Sequence, residues 1–139
     1  MPVALATDGS GGDDNRRKAQ AFFSRADIIA SKGQYDFAIE MYLSGLAFDP
    51  DTVSVHRALR TIALRRKANG GKGKGLTQSM RLRRPTKDDL EAFLNYERLW
   101  TFDPGNSDHV LAMLRHACRL NLPSTEPWLR EILEKMRGC

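Results

Sequence analysis

The stretch of this chain closest to a chemical motif is residues 70–84, GGKGKGLTQSMRLRR. Glycines beside lysines are the raw material of a phosphate-binding loop. Bare backbone lets amides approach an oxyanion, and the lysines neutralise it. The nucleotide-binding pattern requires a glycine, four residues, then Gly-Lys-Ser/Thr. Here Gly75 is followed by Leu76 and Thr77, and no strand precedes the glycines, so nucleotide hydrolysis is not implied. What remains is a cationic loop, with Lys72, Lys74, Arg81, Arg83 and Arg84 as candidates to hold a polyanion. The loop has no aromatic residue to stack on bases, as many single-strand binders do. An acidic protein segment is therefore a better match than nucleic acid, which stays as the alternative.

Other reactive side chains converge less. His116 and Cys118 are two residues apart, which on a helix points them in different directions. His109 and His116 share a face but lie two turns apart, too far for one metal ion. No serine or cysteine has a base beside it, and the carboxylates are scattered. Neither an enzyme, a metal nor a cofactor is expected. Cys118 reads as a small buried hydrophobe. With Cys139 it is too little for a disulfide framework, so a reducing cytoplasm is the expected setting. Apolar runs are too short to cross a membrane and the N-terminus does not read as a secretory signal, so no membrane partner is expected.

The net charge of +5 is local. Nine cations and no carboxylate lie between Arg65 and Lys87, so the remainder of the chain carries −4. Such a segment attracts phosphates or acidic surfaces, or is simply solvated.

The elements that must position these residues read as helices throughout. Residues 1–14 are rich in Gly, Asp and Ser and predict a disordered tail. From Asn15, a suitable N-cap, Ala19, Phe22, Ala26 and Ile29 follow at helical spacing until Gly33. Tyr35, Ala38, Ile39, Tyr42 and Leu46 form a second stripe, ended by Pro50. Val55, Leu59, Ile62 and Ala63 form a third, which fades at Asn69-Gly70. After the basic loop, Thr86 reads as the cap of a fourth helix carrying Leu90, Phe93, Tyr96, Leu99 and Trp100. A fifth carries Leu111, Leu114, Ala117 and Cys118. A sixth carries Trp128, Leu129, Ile132, Leu133 and Met136. The reading is all-α, six helices in three antiparallel pairs.

Residues 19–52 resemble a tetratricopeptide repeat, a helix pair of about 34 residues with fixed large and small sites. Phe22 takes the first aromatic site and Ala26 the small site where the helices cross. Gly33 takes the turn, and Tyr35, Ala38 and Tyr42 the packing sites of the second helix. Gly45 takes the last small site and Pro50 the closing proline. Phe48-Asp49-Pro50 recurs as Phe102-Asp103-Pro104, about 20 residues further on than one repeat requires. The expected organisation is a helical domain over 15–137. Repeat one spans 19–52, and a divergent repeat two spans 53–104 with a basic insertion at about 69–85. A divergent repeat three spans 105–137. Arg60 stands where repeat two should have a small residue, whereas repeat three keeps Ala112.

The resemblance implies a scaffold whose concave groove binds a protein or peptide. By register the groove positions are Phe23 and Asp27, then Arg57, Thr61 and Arg65, then His109, Met113 and His116. Phe23 and Asp27 do not match the carboxylate clamp of chaperone-binding members. Three expectations follow: a protein-interaction module aided by its basic loop, a polyanion-binding adaptor, or a self-assembling unit forming homo-oligomers through uncovered terminal faces.

Overall fold

The computed structural model describes residues 3–138, with side chains from residue 12 onward. It contains seven α-helices and, among the described residues, no strand. The chain divides into two compact units, Met1–Pro50 and Asp51–Cys139. The all-α reading holds. The helix count rises from six to seven because the basic loop contains a helix of its own.

The first unit is a hairpin of α1 (Val3–Ser31) and α2 (Tyr35–Leu46). Residues 3–14 are helical rather than a disordered tail, and residues 1 and 2 lie outside the described residues. Once the packed part of α1 has formed, each further turn adds hydrogen bonds without a new nucleus. Exposed Asp13–Arg16 and Asp14–Lys18 pairs bridge adjacent turns there. Gly33 closes the hairpin at φ 78°, a left-handed conformation that an ordinary residue adopts only with strain. Ala19, Ala26 and Ala38 are buried at its contact, and Gly45 admits the Phe23 ring. A Cβ at Gly45 would lie 2.7 Å from Phe23 Cδ1 and 3.1 Å from the Ala19 carbonyl oxygen.

The second unit comprises α3 (Val53–Ala68), α4 (Leu76–Leu82), α5 (Asp89–Phe102), α6 (Ser107–Leu120) and α7 (Thr125–Met136). α5 packs on α6, and α6 on α7. α3 lies against both α5 and α7, and α4 against α5. Phe93, Trp100, Val110, Met113, Ala117, Trp128 and Leu129 form the core. Caps set the helix limits. Asp88, not Thr86, caps α5, accepting hydrogen bonds from the amides of Leu90 and Glu91. Thr86 instead accepts one from the Asp88 amide. Asn106 caps α6, which stops at Asn121 in the left-handed region. Asp51 accepts hydrogen bonds from the amides of Ser124 and Thr125, so the first residue of this unit ties down the start of α7.

A polar pair lies within this core. His56 Nδ1 sits 2.6 Å from Glu97 Oε2, both side chains fully buried. The imidazole meets Phe93 edge-on and stacks on Trp128. Arg60, the departure from the small-residue pattern, lays its guanidinium 5.0 Å from the centre of the Trp100 ring. A large flat cation on an indole thus occupies the site where the repeat pattern has a methyl group.

Candidate anion-binding site

The basic segment is folded over the end of α5. α3 ends in a Schellman motif, in which Gly70 N–H donates to Lys67 O and Gly71 N–H to Arg66 O. Gly70, at φ 87°, permits the reversal. Gly71 leaves room for Arg66, since a Cβ there would stand 2.6 Å from Arg66 Cγ. Arg66 Cζ then lies 4.2 Å from the centre of the Phe102 ring, and Lys74 Nζ 4.1 Å from it. Two cation–π contacts therefore tie the end of α3, through Arg66, and the glycine-rich loop, through Lys74, to one aromatic residue. α4 follows, packed on α5, and presents Ser79 and Arg83.

These turns enclose a pocket of about 240 Å³ between Lys67, Lys74, Ser79, Arg83, Phe102 and His109, with Gly71, Gly73, Leu99, Asp103 and Pro104 completing its wall. Lys67, Lys74 and Arg83 form no ion pair among the described residues. Asp103 is the single carboxylate in the wall and accepts a hydrogen bond from Asn106 Nδ2 at 3.3 Å. Three cations against one carboxylate leave a formal charge of +2. His109 is 3% exposed, and its ring has no hydrogen-bond partner among the described residues. Burial, and then the positive charge of Arg83, hold its imidazole below the ordinary histidine value, whereas Asp103 and Asp108 pull it back up. The ring is neutral at pH 7 and keeps one N–H to donate.

Of the loop residues expected to hold a polyanion, Lys74 and Arg83 reach this pocket. Arg81 and Arg84 line a separate hollow beside Thr77 and Met80, and Lys72 is exposed and lines neither. The expected groove residues separate further. Phe23 is buried against Gly45, while Phe22 is half-buried and stacks on Phe48, so these neighbours exchange their expected roles. Met113 is fully buried in the second core, and His109 belongs to the pocket. These three are not open groove positions, because the packed faces of α1 and α6 are rotated from the expected register. Asp27 is exposed and accepts a hydrogen bond from Tyr42 Oη. That acceptor, together with burial, raises the tyrosine pKa, burial being the larger cause. Arg57, Thr61 and Arg65 do form an exposed stripe along α3. His116 is half-buried, stacks on Tyr96 and lies 2.8 Å from Asp89 Oδ1.

Cys118 is exposed rather than buried, with Arg130 and Glu126 as neighbours. Local desolvation of the thiol by its neighbours, and then Glu126, raise its pKa, opposite to what a reactive thiolate needs. No cluster of three or more potential metal ligands occurs among the described residues. No described helix is long and apolar enough to cross a membrane. Reading the sequence alone missed Lys67, Ser79 and Phe102 as members of one site. The usable signal was the Phe-Asp-Pro recurrence, which places Phe102 at a helix end beside the basic insertion. No protein-family model, curated protein or solved structure matches this chain.

Proposed function

We propose that this chain is a non-enzymatic interaction module of the tetratricopeptide-repeat kind that captures an acidic segment of a partner protein. One observation carries the reading: Lys67, Lys74 and Arg83 surround a single pocket with no internal ion pair. Three cations that share one concave wall with no ion pair among the described residues set up a positive potential that an anionic ligand neutralises. The repeat assignment is supported by the α1–α2 hairpin, whose small sites at Ala26, Ala38 and Gly45 are buried. The packing of α3 on α5 across the basic insertion supports a second pair, and that of α6 on α7 a third. Phe102 is already engaged by Arg66 and Lys74, so a base would have to compete with them for the ring, which favours a polypeptide over nucleic acid.

Fluorescence anisotropy with a labelled glutamate-rich peptide tests this. Binding that weakens about tenfold or more in a Lys67→Ala, Lys74→Ala, Arg83→Ala variant, a loss of about 1.4 kcal/mol, is the expected result. Equal binding by that variant and the native chain rejects the assignment. Tighter binding of an RNA oligomer than of the peptide, at physiological salt, transfers the site to nucleic acid.

A further inference from the structure

We infer that the pocket is built for one phosphate group, carried as a phosphomonoester on a serine or threonine of the partner segment. The inference rests on the acidic-segment reading and names the group that segment presents. Size is the first argument. At about 30 Å³ per water, a pocket of 240 Å³ holds about eight waters. That accommodates a tetrahedral oxyanion with part of its hydration and lies below the range of drug-sized ligand pockets.

Charge is the second. The formal +2 of Lys67, Lys74 and Arg83 against Asp103 matches a phosphomonoester, which carries about −1.5 to −2 at neutral pH. A single carboxylate neutralises only half of it. Donor geometry is the third. Arg83 supplies a planar fork suited to two oxygens of one phosphate, and the two ammonium groups act as point charges. Ser79 adds a hydroxyl from α4. His109, at 3% exposure with no ring hydrogen bond among the described residues, adds an N–H from α6. The donors come from α3, the loop, α4, the turn after it, and α6. The site is thus assembled by tertiary structure rather than by a basic run alone. Asp103 opposes the ligand, and Asn106 Nδ2 donates a hydrogen bond to one of its carboxylate oxygens.

The test is an NMR titration of the full chain with N-acetyl-phosphoserine amide and N-acetyl-glutamate amide, followed by inorganic phosphate. Phosphoserine should saturate with shifts at the Gly71, Gly73 and His109 amides. It should bind about tenfold or more tighter than the glutamate compound, and inorganic phosphate should displace it. Arg83 is exposed, so its variants should fold normally. Arg83→Ala, which removes one of the three cations, should weaken the phosphoserine compound more than the singly charged glutamate compound, because the lost attraction scales with the ligand's charge. Equal affinity for the two compounds overturns the phosphate assignment and leaves acidic-segment binding intact. If neither compound shifts these amides and the glutamate-rich peptide also fails to bind, both readings fall. Phosphoinositide vesicles that outcompete a phosphoserine peptide would move the phosphate source to lipid and overturn the polypeptide assignment.

Discussion

The two units of this chain bury different chemistry. Among the described residues of the hairpin Met1–Pro50 the buried side chains are alanines, aliphatics and aromatics, and the Tyr42 hydroxyl reaches out to exposed Asp27. Among the described residues, the buried His56, Glu97, Thr101, His109 and Thr125 all belong to the second unit. The hairpin is thus held by shape, small residues against rings. The second unit also carries polar groups whose desolvation must be offset by specific partners. Sites that break the simple patterning rules are where function tends to reside, and the proposed anion pocket lies in the unit that breaks them.

The largest effect expected from breaking this contrast is at the buried pair. Glu97→Ala removes the buried carboxylate that faces His56 and opens a cavity, and should cost about 3–5 kcal/mol. Denaturant titration measures it. A loss no larger than that of an exposed substitution would mean the pair contributes nothing to the second core. Gly45→Ala comes next. In an exposed helix this change gains about 1 kcal/mol. Here the new methyl meets the Phe23 ring and the Ala19 carbonyl, and overpacking of this kind costs about 1–3 kcal/mol. The net result should be destabilisation, partly relieved by adding Phe23→Leu; a stabilised Gly45→Ala would refute the close approach.

The smallest effect concerns pH. His109 has a folded pKa below its ordinary value of 6.5. Between those two values the unfolded chain binds more protons, so the His109 contribution to stability rises with pH there and is flat above. Acidifying from about pH 8 to pH 5 should therefore destabilise the native chain, and His109→Gln should reduce that slope. An unchanged slope would remove His109 from the buried neutral state.

The hairpin was largely legible because everything that builds it is close in sequence. Two stripes, one turn glycine and one closing proline fall within a single repeat length. Even there, Phe22 and Phe23 exchanged places. Adjacent residues on a helix differ by about 100°, and which of the two aromatics faces Gly45 depends on the exact rotation of α1. The second unit was legible in its core stripes, but not in α4, the cap of α5 or its polar features. α4 escaped because LTQSMRL is short and exposes both Leu76 and Met80, so it carries no buried stripe to detect. The same blind spot applied to Cys118, which sits at a plausible core spacing and faces out.

By itself, the sequence determined an all-helical chain, the main apolar stripes, the turn at Gly33, and a cationic segment with no counter-charge of its own. These are local properties, written in spacing and side-chain chemistry within a few turns. Only the tertiary structure decided which cations converge. Lys67 and His109 stand 42 positions apart and meet at one pocket because α5 and α6 fold back beside the end of α3. Electrostatic focusing depends on distance in space, and no local pattern in a single sequence records that distance.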